Sequence, residues 1–320
     1  MTDMTQKTEA KIALGTWSWG VGGFAGGDAV FGNQLDTADL KDVFNTAMEN
    51  GLNVFDTAYA YANGESERIL GELSNAYGRD QVVISDKFTP GMQNDAAENP
   101  VVDMLEGSLK RLGTDFIDIY WIHNSADVER WTPLLVDAVK TGKIGRIGVS
   151  NHSLSQVKRV QDILAPHGIK VSAVQNHFSL LYRNSIEDGL LDYCKENDIQ
   201  FFSYMVLEQG ALSGKYDENH LLPENSSRGK TYNPLFPALK DLLAALRKLA
   251  DKYDVSPAQI VTAWAIGRGT TPILGVTKVE QVIDAAQAST IILTDEEVSQ
   301  LEQTAVASGV DTRGGWEGQA

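Results

Sequence analysis

The chain has 320 residues, 42% of them hydrophobic, which is enough for two average domains or one large α/β domain. Its 43 acidic residues against 27 Lys and Arg give a net charge of −16; such a surface repels phosphate backbones and anionic lipid and argues against nucleic-acid and membrane partners. A single cysteine, Cys194, excludes an intrachain disulfide framework, and no histidine has metal-ligand spacing.

The polar N-terminus carries no apolar leader and no run reaches the length of a membrane span, so the expected compartment is the cytoplasm. Residues 11–17 (KIALGTW) read as a first strand. The following Gly20-Val21-Gly22-Gly23-Phe24-Ala25 fits the G-x-G-x-x-A dinucleotide pattern in form only. That fingerprint must open directly into a helix, and here more loop intervenes, so the segment is read as a glycine-rich loop. Residues 37–50 carry Leu40, Val43, Phe44, Ala47 and Met48 at helical spacing and stop at Gly51. A short apolar strand over 53–58 turns polar at Asp56 and breaks into a loop holding Tyr61 and Gly64. Ser66 then opens a helix to about Tyr77.

The alternation continues. A buried strand over 81–88 carries Lys87 near its end, a helix over 100–112 stops at Gly113, and a strand over 115–123 ends in His123. A helix over 132–141 and a strand over 144–150 follow. Ser153 and Gln156 form a capping box for the next helix, which ends at Gly168. A strand over 171–175, a helix over 185–197 and a strand over 200–207 lead to a long polar segment, 208–234, of the kind that carries function. Helices over 237–253 and 256–267 precede the last strand, 271–276. Two more helices begin near Val279 and Thr294, and the tail 310–320 contains Trp316. Cys194 is expected in the core. His152, His167 and His220 are expected at the surface, and His177 beside a strand end.

Eight strands alternate with helices along 1–320 with no composition break, so one (β/α)₈ barrel domain with extra C-terminal helices and long active-site loops is expected. In a barrel Asp56, Lys87 and His123 fall near the ends of strands two, three and four. Period two puts Lys87 on the face of Val83 and Ser85, and His123 on the face of Ile119 and Trp121. Asp118 lies on the other face. An inward lysine in an apolar barrel needs a counter-ion, and Asp56 on the neighbouring strand supplies one. Tyr61 is one short loop away.

Taken singly, these residues read equally well as a turn cap, an ion pair and a core histidine. Together they suit proton transfer. A free tyrosine has a pKa of about 10, too high for work near neutrality. An ammonium within ~4–6 Å stabilises the phenolate and is expected to lower it. A neutral histidine can donate a hydrogen bond to a substrate oxygen.

Asp56-Thr57-Ala58-x-x-Tyr61, with Gly64-Glu65-Ser66-Glu67 after it, resembles the aldo-keto reductase signature. So do Lys87, Ile119–Ile122 with His123, Gly148-Val149-Ser150-Asn151, Gln175-Asn176, Tyr204 with Gly210-Ala211-Leu212-Ser213-Gly214-Lys215, and Gly275-Val276-Thr277-Lys278 with Glu280-Gln281. The matches run in family order along essentially the whole chain. The resemblance implies a barrel that reduces aldehydes or ketones with a nicotinamide cofactor. It implies Tyr61 as general acid, Lys87 and Asp56 as its tuners, and His123 as the group that orients the carbonyl.

The resemblance also implies that Ser150, Asn151 and Gln175 hold the carboxamide and that Tyr204 stacks on the nicotinamide. Thr16 and Trp17, with Asp56, would line the nicotinamide end, with Trp19 and Trp316 as pocket walls beside Tyr61 and His123. Met205, Leu207, Gln209, Lys215, Gly275, Thr277, Lys278 and Gln281 complete the implied cofactor set. Two departures stand out. Met205-Val206-Leu207 replaces a Ser/Thr-Pro-Leu run, which removes a hydroxyl. Thr277 and Gln281 occupy positions that are often basic, which leaves Lys278 as the cation nearest a 2′-phosphate. NADP(H) is favoured and NAD(H) is the alternative. The implied partner is a small aldehyde or ketone, its selection assigned to residues 124–130, 208–234 and the tail. Two other classes fit a barrel: a non-catalytic cofactor-sensing subunit, and a glycoside hydrolase, although a carboxylate beside a lysine suits the latter poorly.

Overall fold

The computed structural model of the chain describes residues 9–314. Eight parallel strands close into a barrel in sequence order: β1 (Ala13–Gly15), β2 (Val54–Asp56), β3 (Val83–Phe88), β4 (Ile117–Ile122), β5 (Ile144–Ser150), β6 (Val171–His177), β7 (Gln200–Tyr204) and β8 (Thr271–Gly275). β1 pairs with β2 on one side and β8 on the other, which closes the ring. The (β/α)₈ architecture expected from the alternation is the one observed.

The faces of the strands are mostly apolar on both sides, as parallel strands covered on both sides require, with polar residues gathered toward the ends of β2 and β3. Ala13, Val54, Val83, Ile119, Trp121, Ala173 and Phe202 fill the barrel interior. Leu14, Phe55, Ile84, Tyr120, Val149, Val174 and Phe201 face the surrounding helices in a larger layer. Trp121 is the bulkiest interior side chain, and its neighbour in the β5 register is Gly148. A Cβ there would lie 2.2 Å from the Trp121 ring, so any other residue would push the tryptophan out of its layer.

Helix starts follow local chemistry. The capping box expected at Ser153/Gln156 forms, boxes also form at Ser256/Gln259 and Thr294/Glu297, and Asp36 and Asn99 cap the helices Thr37–Glu49 and Pro100–Leu112. Several boundaries differ, among them the following four. The helix expected from residue 132 is Val128–Lys140, capped by Asp127, with Pro133 in its second turn, where the missing N–H costs one intrahelical hydrogen bond. The helix expected over 185–197 is two pieces, Asn184–Glu187 and Leu190–Glu196, separated by Gly189 at φ 79°. β7 ends at Tyr204 because Met205 takes φ 60°. Ser66 sits inside the helix Glu65–Tyr77 rather than opening it, with its hydroxyl donating to the Thr16 carbonyl. The glycine-rich loop holds a short helix, Gly27–Phe31.

No helix among the described residues is long and apolar enough to cross a membrane. Cys194 is buried, and burial pushes its thiol up to about 12.

Candidate active site

The strand ends bring three of the predicted residues together. Lys87 Nζ, with no exposed surface, donates to Asp56 Oδ2 at 2.5 Å, to the Thr57 carbonyl at 2.7 Å and to the Tyr61 hydroxyl at 3.3 Å. All three protons of the ammonium therefore have acceptors. Asp56 Oδ1 accepts from Ser85 Oγ at 2.6 Å and from Gln175 Nε2 at 2.9 Å, and Ser85 in turn accepts from Trp121 Nε1. The register explains this convergence, since Asp56 is level with Ser85 and Lys87 is level with Trp121. Burial lowers the Lys87 ammonium, but Asp56 and Tyr61 outweigh it, so the net direction is up.

Tyr61 corrects one expectation. Lys87 does pull its hydroxyl toward ionisation, but burial is the larger effect and Asp56 adds to it, so the net direction is up from 10.0. The sequence supplies the charges; it does not report how much water the fold removes.

His123 follows β4, and its ring meets that of Tyr61 edge-on at 5.9 Å. Its Nδ1 lies 2.9 Å from Thr89 Oγ1. Burial, reinforced by Lys87, holds the imidazole down at about 3, so it is neutral over the ordinary pH range. Trp17 stacks on the other side of Tyr61 at 6.0 Å and meets Phe31 edge-on at 5.2 Å. Phe31, Trp17, Tyr61 and His123 thus form one aromatic row along the opening.

Trp19 is not a wall of that opening. It is fully buried, packs against Phe55 and donates from Nε1 to the Val276 carbonyl. The resemblance implied a wall there, but β1 ends at Gly15 and the loop beyond it turns the Trp19 ring into the core. Trp316 lies outside the described residues.

The expected cofactor residues ring the same end of the barrel. Ser150 and Gln175 are adjacent in register at the ends of β5 and β6. Asn151 takes φ 60° and donates from Nδ2 to the His123 carbonyl. Its Oδ1 accepts from the Tyr204 hydroxyl. Gln175 spends one amide proton on Asp56. The side chain of Thr16 is turned inward, bonded to the Asp56 carbonyl and Ser66. Met205 and Gln209 both have positive φ after β7, with Leu207 between them. Lys215 is exposed on the long loop that follows. Beyond Gly275, Gln281 accepts from Thr277 N and Lys278 N and so caps the helix Val279–Ala288. Lys278 is exposed at that helix start, whose free amides and dipole favour an anion.

Several contributing residues carried no local signal. Thr89 lies just past β3, yet it meets His123 across a separation of 34 residues. Arg228 belongs to the long loop. Its Nε is buried without a hydrogen-bond partner among the described residues, while its Nη1 donates to the Gln209 carbonyl at 3.4 Å. Glu208, fully buried, accepts from four side chains on three segments. His152, expected at the surface, is buried with Nδ1 against the Ser150 carbonyl; burial holds it down at about 4. Asp118, on the outer face, accepts from Arg79 and the Ile84 amide and stays outside the site.

Comparison with known proteins agrees with this geometry. A sequence model of the Aldo/keto reductase family matches residues 11–305. A chloroplastic pyridoxal reductase from Arabidopsis thaliana is 32% identical over 315 residues, covering 93% of this chain and 83% of the relative. An aldo-keto reductase from Bacillus subtilis is 30% identical over 272 residues, covering 80% of this chain and 77% of the relative. Among solved structures, a glycerol dehydrogenase from Gluconobacter oxydans shares the fold with a TM-score of 0.80 at 23% identity, covering 98% of this chain and 96% of that one. An aldo-keto reductase from Klebsiella pneumoniae, crystallised with NADPH, has a TM-score of 0.73 at 26% identity, covering 95% of this chain and 93% of that one. With its barrel, its Asp56–Lys87–Tyr61–His123 cluster and this match along nearly its whole length, the chain is an oxidoreductase that belongs to the aldo/keto reductase family.

Proposed function

We propose that the protein is an NADP(H)-dependent carbonyl reductase in which Tyr61 gives the proton that completes the alcohol. The observation that carries this reading is the Lys87 ammonium, closed off from water and shared between Asp56 and the Tyr61 hydroxyl at the barrel opening.

The residues present fit a dinucleotide. Arg228 keeps a buried guanidinium N–H without a partner among the described residues, which suits an anionic diphosphate, and Lys278 at a helix start suits the 2′-phosphate. Ser150, Asn151 and Gln175 are amide and hydroxyl groups of the kind that pair with a carboxamide. Trp17, Leu207, Gln209, Lys215, Gly275 and Thr277 would complete the binding surface, with backbone groups serving at Met205. The NADPH complex of the Klebsiella relative supports the choice of cofactor. When bound, the reduced dinucleotide supplies a hydride to the carbonyl carbon.

The chain's own groups handle the oxygen. Tyr61 is held protonated by burial, so it meets the substrate as an acid. As negative charge develops on the carbonyl oxygen, Tyr61 passes its proton to it and Lys87, 3.3 Å away, stabilises the phenolate left behind. Asp56 holds the ammonium in place. In the tautomer in which Nδ1 of neutral His123 accepts from the Thr89 hydroxyl, the ring proton sits on Nε2 and can donate to the same carbonyl oxygen. The aromatic row of Phe31, Trp17 and Tyr61 favours a flat or apolar substituent on the carbonyl compound.

The glycoside hydrolase alternative loses its acid, because Asp56 is occupied by three donors inside the barrel. The test is loss of reduced-nicotinamide absorbance with a panel of small aldehydes and ketones, for parent and Tyr61→Phe. Full activity in the variant would falsify the proton assignment.

A further inference from the structure

Glu208 sits four residues beyond Tyr204 at φ 47°, a backbone conformation that disfavours residues other than glycine. Its side chain is fully buried, yet among the described residues none of its hydrogen bonds comes from a lysine or arginine. Oε1 accepts from His177 Nε2 at 2.9 Å, from Thr312 Oγ1 at 2.8 Å and from Ser179 Oγ; Oε2 accepts from the Tyr232 hydroxyl at 2.7 Å. A carboxylate offers about four acceptor positions, so this one is saturated. The donors come from three separate segments: the end of β6 (His177 and Ser179), the long loop (Tyr232) and the C-terminal tail (Thr312). A buried polar group tolerated at a strained backbone position is the pattern of a site held in place by its surroundings.

The group that Glu208 holds most directly is the His177 ring. His177 stacks on Tyr204 at 5.7 Å and 24°, and on Tyr182 at 4.6 Å and 25°. Tyr204, His177 and Tyr182 therefore form a pile of three rings, with His177 in the middle and clamped at its edge by Glu208. One face of Tyr204 is committed to His177, so a planar ligand ring can stack only on the other. The Tyr204 hydroxyl is pinned at Asn151, which fixes the remaining rotation of the ring. Arg313, next to Thr312, lies 5.9 Å over the Tyr182 ring, so the tail closes the outer end of the pile.

We infer that Glu208 is a positioning residue for cofactor binding. It acts through His177 to hold Tyr204 as a rigid platform, and the same carboxylate fastens the long loop and the tail against that platform. The inference rests on the reading of the chain as a nicotinamide-dependent reductase. Glu208 touches neither substrate nor cofactor, and its effect should appear in dinucleotide affinity before it appears in the proton-transfer step.

The experiment is calorimetric titration of the full chain with NADPH for the parent, Glu208→Ala, Glu208→Gln and Thr312→Val. Thermal unfolding and limited proteolysis of the tail accompany each titration. Glu208→Ala should raise the NADPH dissociation constant at least tenfold, by analogy with the loss of groups that orient a binding residue. In turnover it should raise KM for NADPH by a similar factor, with KM for the carbonyl compound within about twofold. Glu208→Gln keeps the volume and an acceptor for His177, so it should recover most of the affinity. Thr312→Val should expose the tail to protease while leaving NADPH affinity within about twofold.

Should Glu208→Ala fail to fold, a Glu208→Gln variant with parent affinity and a His177→Ala variant weakened tenfold sustain the inference. Equal affinity in the parent and in either Glu208→Ala or His177→Ala overturns it. A parent chain that binds no NADPH overturns the functional reading itself, and the platform with it.

Discussion

Lys87 Nζ lies 3.3 Å from the Tyr61 hydroxyl while Asp56 holds the same ammonium from below. Tyr61 is thus a half-buried hydroxyl kept protonated at rest, and in the proposed mechanism Lys87 partly offsets the cost of the phenolate left after proton transfer. Tyr61→Phe removes the proton and should lower kcat by about 10³-fold, within the usual range for a general acid, with the NADPH dissociation constant within twofold of the parent. Stopped-flow turnover and calorimetry separate the two quantities. In the oxidation direction the same residue must start as a phenolate. Because burial pushes it up, alcohol oxidation should keep rising into the alkaline range.

Asp56→Ala leaves the fully buried Lys87 without its carboxylate. Breaking one half of a buried pair costs about 3–5 kcal/mol, so the variant should unfold at markedly lower denaturant. A change below about 1 kcal/mol would mean that the Thr57 carbonyl and the Tyr61 hydroxyl suffice for the ammonium.

Thr89→Val keeps the shape of the side chain and removes the hydroxyl that meets His123 Nδ1. The ring then loses its preferred tautomer and orientation, and kcat/KM for carbonyl reduction should fall about tenfold or more, with NADPH affinity unchanged. An unchanged kcat/KM would remove Thr89 from the site.

Lys278→Ala should weaken NADPH binding about tenfold and leave NADH binding nearly unchanged, since only the former carries the 2′-phosphate. A constant ratio of the two affinities would place the phosphate elsewhere. Arg228→Met should weaken both dinucleotides, because the diphosphate is common to them.

Acid should destabilise the fold through His123 and His152. His123 and His152 are held down at about 3 and about 4 in the folded chain, against about 6.5 when unfolded. Below pH 6.5 the unfolded chain therefore binds more protons, so this stability is fully present above 6.5 and is lost as pH falls toward the folded values. Each residue contributes a slope of roughly 1.4 kcal/mol per pH unit in that window. His152→Gln should flatten the dependence of denaturation midpoint on pH between 6.5 and 5; an equally steep dependence would exclude His152 as a source.

Asp86 titrates with the opposite sign. It lies on β3 beside Lys87 but on the outer face, among the helices. Burial, then the charge of Glu67, pushes its carboxyl well above the usual range. Its contribution is present at low pH and is lost as pH rises through its folded value. Asp86→Asn should raise the melting temperature at pH 9 more than at pH 5, as read by calorimetry.

Much of this site can be read along the chain. Asp56, Lys87 and His123 announce themselves as polar residues closing apolar strands, and the period of two puts them on one face. Eight strands separated by helices require parallel pairing, which brings consecutive strand ends together. Helix caps are equally legible, because Ser153 with Gln156, or Thr294 with Glu297, act within four residues. Trp19 shows where this reading stops: the resemblance implied a pocket wall, but the loop after β1, which ends at Gly15, turns the ring into the core.

The order of strands, the sign of the surface charge and the gathering of Asp56, Lys87 and His123 at the strand ends are therefore properties of the linear chain, written in local periodicity and in strong one-residue signals. Three matters depended on the folded shape. Thr89 meets His123 across 34 residues, and Glu208 meets Thr312 across 104. Chain closure at such separations leaves no local pattern. The direction in which Tyr61 titrates is the third: Lys87 and burial oppose each other there, and the amount of water excluded is a sum over every neighbour the fold collects.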